Sequence, residues 1–200
     1  MREKTDMATK PRVILPTSLI LEALFAAALC TRPAAAELVN ENLLAPAPPG
    51  YKIGFRDKKN DLQITEWVPT NQTAENWTEM LTVQVFHGLK LAPEQFMQQL
   101  ELRWREACPG AGDAQPVAGG AENGYPALLW ILDCPKNPGT DKPELTWFKA
   151  MQGNDSFYVV QKAFKFTPSK EQITRWIGYL KAVRVCDSRI ADRACPQTKD

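Results

Sequence analysis

From residue 51 onward, apolar and polar residues alternate in some stretches and recur at helical spacing in others, and the switches mark the elements. Tyr51, Ile53 and Phe55 alternate with Lys52, Gly54 and Arg56, the period of a half-buried strand. Asp57 to Asp61 is polar and reads as a turn, and Leu62 to Val68 is the returning strand, stopped by Pro69. A third strand runs from about Trp77 to Phe86, where Leu81, Val83 and Val85 alternate with Thr82 and Gln84. Short polar connections between three consecutive strands predict an antiparallel meander.

The period then changes. Pro93 opens a helix with Phe96, Leu100, Trp104 and Ala107 on one face, and Cys108-Pro109-Gly110 ends it. Residues 109–124 hold Gly and Ala but, apart from Val117, almost no large side chain, which predicts an exposed loop. Strands follow at Ala127 to Cys134, Glu144 to Gln152 and Phe157 to Phe166, the last two joined by the turn Gly153-Asn154-Asp155-Ser156. The final helix is the clearest element. Ser169 and Gln172 form a capping box, and Ile173, Trp176, Ile177, Leu180 and Val183 make one buried face. The order βββαβββα predicts an α+β sandwich, an antiparallel sheet of about six strands between two helices, over residues 51–186. Residues 37–50, with Pro46, Pro48, Pro49 and Gly50, read as a Pro-rich leader, and 187–200 as a polar tail.

The start of the chain changes the picture of where this domain works. Basic Lys4, Lys10 and Arg12, an apolar run from Val13 to Leu29 and Ala34-Ala35-Ala36 before Glu37 have the order of a secretory signal. Pro16 and Glu22 interrupt the apolar run. A carboxylate at the bilayer centre costs on the order of 2.5–3.5 kcal/mol on insertion scales, so a cleaved signal is favoured over a permanent anchor. Cys30 follows Leu29, which is not the small residue a lipoprotein signal wants. Cleavage after Ala36 would deliver a periplasmic or secreted protein. Asn71-Gln72-Thr73 and Asn76-Trp77-Thr78 are glycosylation sequons that a eukaryotic secretory path could use.

Cysteine usage agrees with export. Beyond Ala36 stand Cys108, Cys134, Cys186 and Cys195, an even set that allows three disulfide connectivities. We favour Cys108–Cys134, tying the end of a helix to a strand, and Cys186–Cys195, closing a short polar loop after the last helix. No Cys-x-x-Cys or paired-ligand spacing points to redox work or a metal, and no cofactor motif is present. The same part of the chain has 19 Lys and Arg against 20 Asp and Glu, without a basic stripe, which argues against nucleic acid as a partner.

Catalytic equipment is sparse. His87 is the one histidine, and Ser156 and Ser169 already have structural roles as turn and cap. Glu66, Glu79 and Asp133 are carboxylates that could in principle pair for hydrolysis, but any domain of this size offers several. Six tryptophans are more suggestive. Trp67 and Trp77 flank the Pro69 to Ala74 connection, and with Tyr51 they are candidates for an aromatic groove at one end of the sheet.

The element order over about residues 51–185 resembles the fold shared by the PsbP proteins of photosystem II and the Ran-binding protein Mog1. No diagnostic motif accompanies that order, so the resemblance implies a fold and no site. The expected function is a non-catalytic periplasmic binding or accessory protein acting on a protein partner in the envelope, an inhibitor being one form. The alternatives are a glycan or small-ligand module using the aromatic groove, and a hydrolase working through carboxylates.

Overall fold

The computed structural model describes residues 38–196. The segment read as an export signal therefore lies outside the described residues.

Seven strands form one antiparallel sheet in the order β2 (Tyr51–Lys59), β3 (Leu62–Pro69), β4 (Glu79–His87), β8 (Ser156–Phe164), β7 (Lys142–Gln152), β6 (Tyr125–Asn137), β5 (Gln115–Glu122). It is two meanders, 2-3-4 and 8-7-6-5, joined edge to edge by the β4–β8 ladder. Helix α1 (Pro93–Ala107) carries the chain from the middle of the sheet to its far edge, and α2 (Lys170–Ala182) follows β8. Period-2 alternation on each strand then splits the apolar residues between two cores. Leu128, Trp130, Leu132, Phe148 and Phe157 pack under Phe96, Leu100 and Trp104 of α1. Leu81, Leu129, Trp147, Val160 and Phe164 pack under Trp176 and Leu180 of α2. The predicted sandwich is present, with one strand more than the expected six.

The extra strand is β5. Its residues lie in the stretch read as an exposed loop, and they pair with β6 from Gln115↔Ile131 to Glu122↔Tyr125. The turn is Asn123-Gly124, with φ of 50° and 75°, values that asparagine and glycine tolerate best. Being an edge strand, β5 needs only backbone partners on one side, so its small side chains suffice and Pro116 sits at a bulge.

A second departure lies at the ends. The Pro-rich segment holds β1 (Glu41–Leu44), which pairs with β9 (Arg184–Asp187) of the segment after α2. A 3-10 turn, Ala191–Arg193, follows. The Glu41 carboxylate accepts backbone N–H groups from Asn154, from Asp155 at 3.0 Å and from Ser156 at 3.1 Å, and the Tyr158 hydroxyl at 2.9 Å. One side chain thus fastens the start of the domain to the β7–β8 turn.

Both favoured cysteine pairs are disulfides, Cys108–Cys134 and Cys186–Cys195, with Cα atoms 5.8 and 4.9 Å apart. Helix α2 starts as read: Ser169 Oγ accepts from Gln172 N at 3.3 Å, and Gln172 Oε1 accepts from Ser169 N at 2.9 Å.

Candidate functional site

Residues Tyr158, Val160, Lys162 and Phe164 alternate along β8 and face α2, so pairing parity puts one lysine in an apolar row. Lys162 is fully buried. Burial of an ammonium costs several kcal/mol unless its donors find partners. Here Nζ donates to Glu79 Oε2 and to the Tyr51 hydroxyl, each at 2.8 Å. It also lies over the ring faces of Trp176 at 4.0 Å, Phe164 at 4.6 Å and Tyr51 at 4.8 Å. Burial pulls the Lys162 pKa down to about 8, against the upward pull of Glu79. Burial pushes the Glu79 carboxyl up, but hydrogen bonds from Lys162 and Tyr51 and the charges of Lys162 and Arg175 outweigh it, leaving a net lowering. Burial, then the hydrogen bond to Glu79, drives the Tyr51 phenol far above its ordinary range.

This knot forms one side of a notch of about 320 Å³ between α2 and the segment leading into β2. Pro48, Pro49, Gly50, Tyr51 and Pro69 line it from the strands, and Arg175, Trp176 and Tyr179 from the helix. The turn spacing of α2 puts Arg175 and Tyr179, four residues apart, on the same side. The rings of Tyr51 and Tyr179 meet Trp176 edge-on, each with centroids 5.4 Å away. The Tyr179 hydroxyl donates to Pro46 O at 2.8 Å, and burial pushes its pKa up to about 12. These contacts fix the walls. The indole N–H of Trp176 is buried and has no hydrogen-bond partner among the described residues. Lys162 and Arg175 together outnumber Glu79 by one charge.

A second concavity of about 240 Å³ lies on the opposite face, beside α1. Trp77, Trp104, Glu66, Glu144, Thr82 and Gln161 are among its lining residues. The Lys165 ammonium covers the Trp77 ring at 3.7 Å, and burial alone raises the Glu66 pKa.

The aromatic groove expected from Tyr51, Trp67 and Trp77 is therefore not assembled. Tyr51 and Trp67 share the α2 face, where Trp67 packs on the core, whereas Trp77 lines the concavity beside Trp104 of α1. Trp77 precedes β4, so strand parity could not place it. The carboxylates are also dispersed. Glu66 pairs with Thr82 and faces α1, while Glu79 faces α2 and is tied to Lys162. Asp133 shares the face of Glu79 but sits three strands away, about 14 Å at ordinary strand spacing. His87 and Ser156 do come together, with Nδ1 and Oγ 3.2 Å apart across the β4–β8 ladder. That serine is buried under its turn and lines none of the four concavities described for this domain. Among the described residues no group of three or more His, Cys, Asp or Glu is arranged to hold a metal ion. None of the described helices is long and apolar enough to cross a membrane.

Reading the sequence assigned Trp176 to the core and passed over Arg175, Tyr179 and Pro48. The available signal was Arg175 next to the one aromatic residue on the buried face of α2, with Tyr179 one turn on.

No protein-family model and no curated protein sequence matches this chain. Among solved structures, it is similar to a point mutant of the protein Mog1, at 13% identity and a TM-score of 0.41, over 66% of this chain and 76% of that one. It is also similar to the Ran-binding protein Mog1p of Saccharomyces cerevisiae, at 12% identity and a TM-score of 0.41, over 71% of this chain and 85% of that one. Both likenesses are to Mog1 structures and are low in identity and in TM-score.

Proposed function

We propose that this is an exported, non-catalytic binding protein that docks a protein partner at the notch between α2 and the Pro48–Tyr51 segment. The observation that carries the reading is the Lys162–Tyr51–Glu79 knot. Its polar groups are committed to one another, so the notch offers fixed apolar walls and a charged rim without a group set up to attack or relay a proton. Rigid Trp, Tyr and Arg side chains around a small recess are what anchor sites in protein interfaces use. Export is supported by the order of residues 1–36 and by two disulfides, which persist in oxidising compartments.

The test is capture from an envelope extract on immobilised residues 37–200, read by mass spectrometry, in parallel with Arg175→Glu. Arg175 is exposed on α2, so reversing its charge leaves the core intact. One stoichiometric protein held by the wild type and lost by the variant is the expected result. Equal retention by both would place docking elsewhere, and a blank from both would sink the reading.

A second reading, glycan binding, is favoured by the concavity beside α1, where Trp77 and Trp104 stand with Glu66, Glu144 and Gln161. Aromatic planes edged by acids and amides suit a sugar. Its check is tryptophan emission titrated with envelope glycans, in the wild type and in Trp77→Ala.

A further inference from the structure

The seven-stranded sheet has two outer edges, and they differ in kind. The β5 edge carries Pro116, two glycines and one large apolar side chain, Val117. On the β2 edge every residue after Tyr51 is exposed, Ile53 and Phe55 at 41% and 44% among them. Among the described residues nothing pairs with its outer side. In an antiparallel strand every other residue turns its N–H and C=O away from the neighbouring strand, so this edge presents a row of unmatched donors and acceptors. The Lys58 N–H already takes a carboxylate oxygen, donating to Asp57 Oδ1 at 2.8 Å.

The charges on this edge do not balance. Lys52, Arg56, Lys58 and Lys59 stand against Asp57 alone, and none of the four cations forms a salt bridge among the described residues. The register also orders them. A bulge at Ile53–Phe55 separates Lys52 from the regular stretch Phe55–Lys59. Within that stretch, Arg56↔Thr65↔Val83 and Lys58↔Gln63↔Val85 put two neighbouring cations on the α2 face, while Phe55, Asp57 and Lys59 take the other. We infer that the outer edge of β2 adds a strand from the partner protein, an extended segment with acidic residues at alternate positions opposite Arg56 and Lys58 and an apolar residue beside Phe55. Backbone pairing supplies the attachment, and opposite charges across the two strands supply the selection. A second copy of this chain does not fit, because pairing two β2 edges sets cation against cation, the usual way in which lysine guards an edge. This assignment rests on the reading of the chain as a protein-binding protein but not on the notch, which β2 reaches only at Tyr51.

The probe is an acetylated, amidated peptide, Glu-Val-Glu-Thr-Glu-Val-Glu. One control has lysine in place of each glutamate. The other is the glutamate peptide N-methylated at every residue, which keeps its charges and loses its backbone donors. Each is titrated into residues 37–200, which contain the whole described domain, and followed by 1H–15N amide spectra. The expected result is a saturable set of shifts centred on Phe55–Lys59, with the glutamate peptide binding at least tenfold tighter than either control. Arg56→Glu combined with Lys58→Glu should reverse the preference between the glutamate and lysine peptides; both side chains are exposed, so the fold is retained. Equal binding of the N-methylated peptide would reduce the edge to a charged patch and overturn strand addition. No shift, shifts centred elsewhere, or a preference unchanged in the double variant would overturn it too. In the envelope capture, a partner lost with Arg175→Glu but kept by the double variant would leave docking at the notch standing and remove the strand-addition assignment. A partner kept by Arg175→Glu and lost by the double variant would do the reverse.

Discussion

At the scale of single residues, the chain places two lysines, Lys149 and Lys162, where period-2 alternation calls for apolar side chains, and both are fully buried facing α2. Lys149 donates to Glu122 and to Val183 O, so it closes the end of α2 onto β5 and β7. Lys162 does its work under the notch. Replacing it with Met should destabilise the domain by about 3 kcal/mol, because Glu79 then loses its partner while still half-buried. Adding Glu79→Gln should recover most of that loss, a combination that urea midpoints of the four variants would reveal. The pH dependence has a definite sign. The folded Lys162 pKa, about 8, lies below its ordinary 10.5, so the folded state releases this proton first. Its contribution is therefore least favourable below about pH 8 and improves as pH rises toward 10.5. Relative to Lys162→Met, the wild type should gain on the order of 3 kcal/mol across that window. Glu79 acts in the opposite range. Its lowered pKa contributes stability above about 4.5 that is lost as pH falls below it.

At the scale of elements, what could be read from the sequence follows from how each element is stabilised. Helix α2 was legible because its cap and its apolar face are both local, and Ser169→Ala should cost about 1 kcal/mol in thermal or urea unfolding. Strands β3, β4 and β6 to β8 were legible because each buries apolar residues on at least one face; β2 alternates as read, but beyond Tyr51 its residues, Ile53 and Phe55 included, are exposed rather than half-buried. The strand β5 was not: Gln-Pro-Val-Ala-Gly-Gly-Ala-Glu has no apolar alternation, and only the ladder to β6 makes it a strand. Its one local signal was Asn123-Gly124, the pair that favours a tight hairpin. The disulfides lay between these cases, since spacing allowed three connectivities and the helix-end and loop-closure arguments chose among them. Chain entropy assigns about 3.5 kcal/mol to the 26-residue separation and about 2.6 to the 9-residue one. Intact mass without reductant should accordingly show no alkylatable thiol among Cys108, Cys134, Cys186 and Cys195. Four reactive thiols would remove both bridges.

At the scale of the whole molecule, the notch was illegible for the same reason as β1: it is made by residues far apart in sequence. Tyr51 was read as one wall of a groove with Trp67 and Trp77, whereas its neighbours in the notch come from α2 and from the segment read as a leader. Pro46 and Pro48 belong to that segment, and they shape the wall and hold Tyr179. The segment is also tied down by the four β1–β9 residue pairs, by the Glu41 carboxylate in the β7–β8 turn, and by Leu43 and Ala45 against the core. A detached leader would make none of these contacts. The consequence is testable with two chains, one starting at residue 37 and one at residue 48. The shorter chain loses a carboxylate that accepts from three backbone N–H groups and a hydroxyl, worth about 1.5–3 kcal/mol as charge-assisted bonding, and it uncovers part of the core under Leu43. Its urea midpoint should fall by the equivalent of about 3 kcal/mol or more. Glu41→Ala in the longer chain should reproduce about half of that drop without disturbing the notch. Tryptophan emission separates the two variants further, because loss of Pro46 frees Tyr179 and admits water to Trp176, shifting emission to the red only in the shorter chain. Equal midpoints for the two chains would mean that residues 37–47 contribute nothing to the fold.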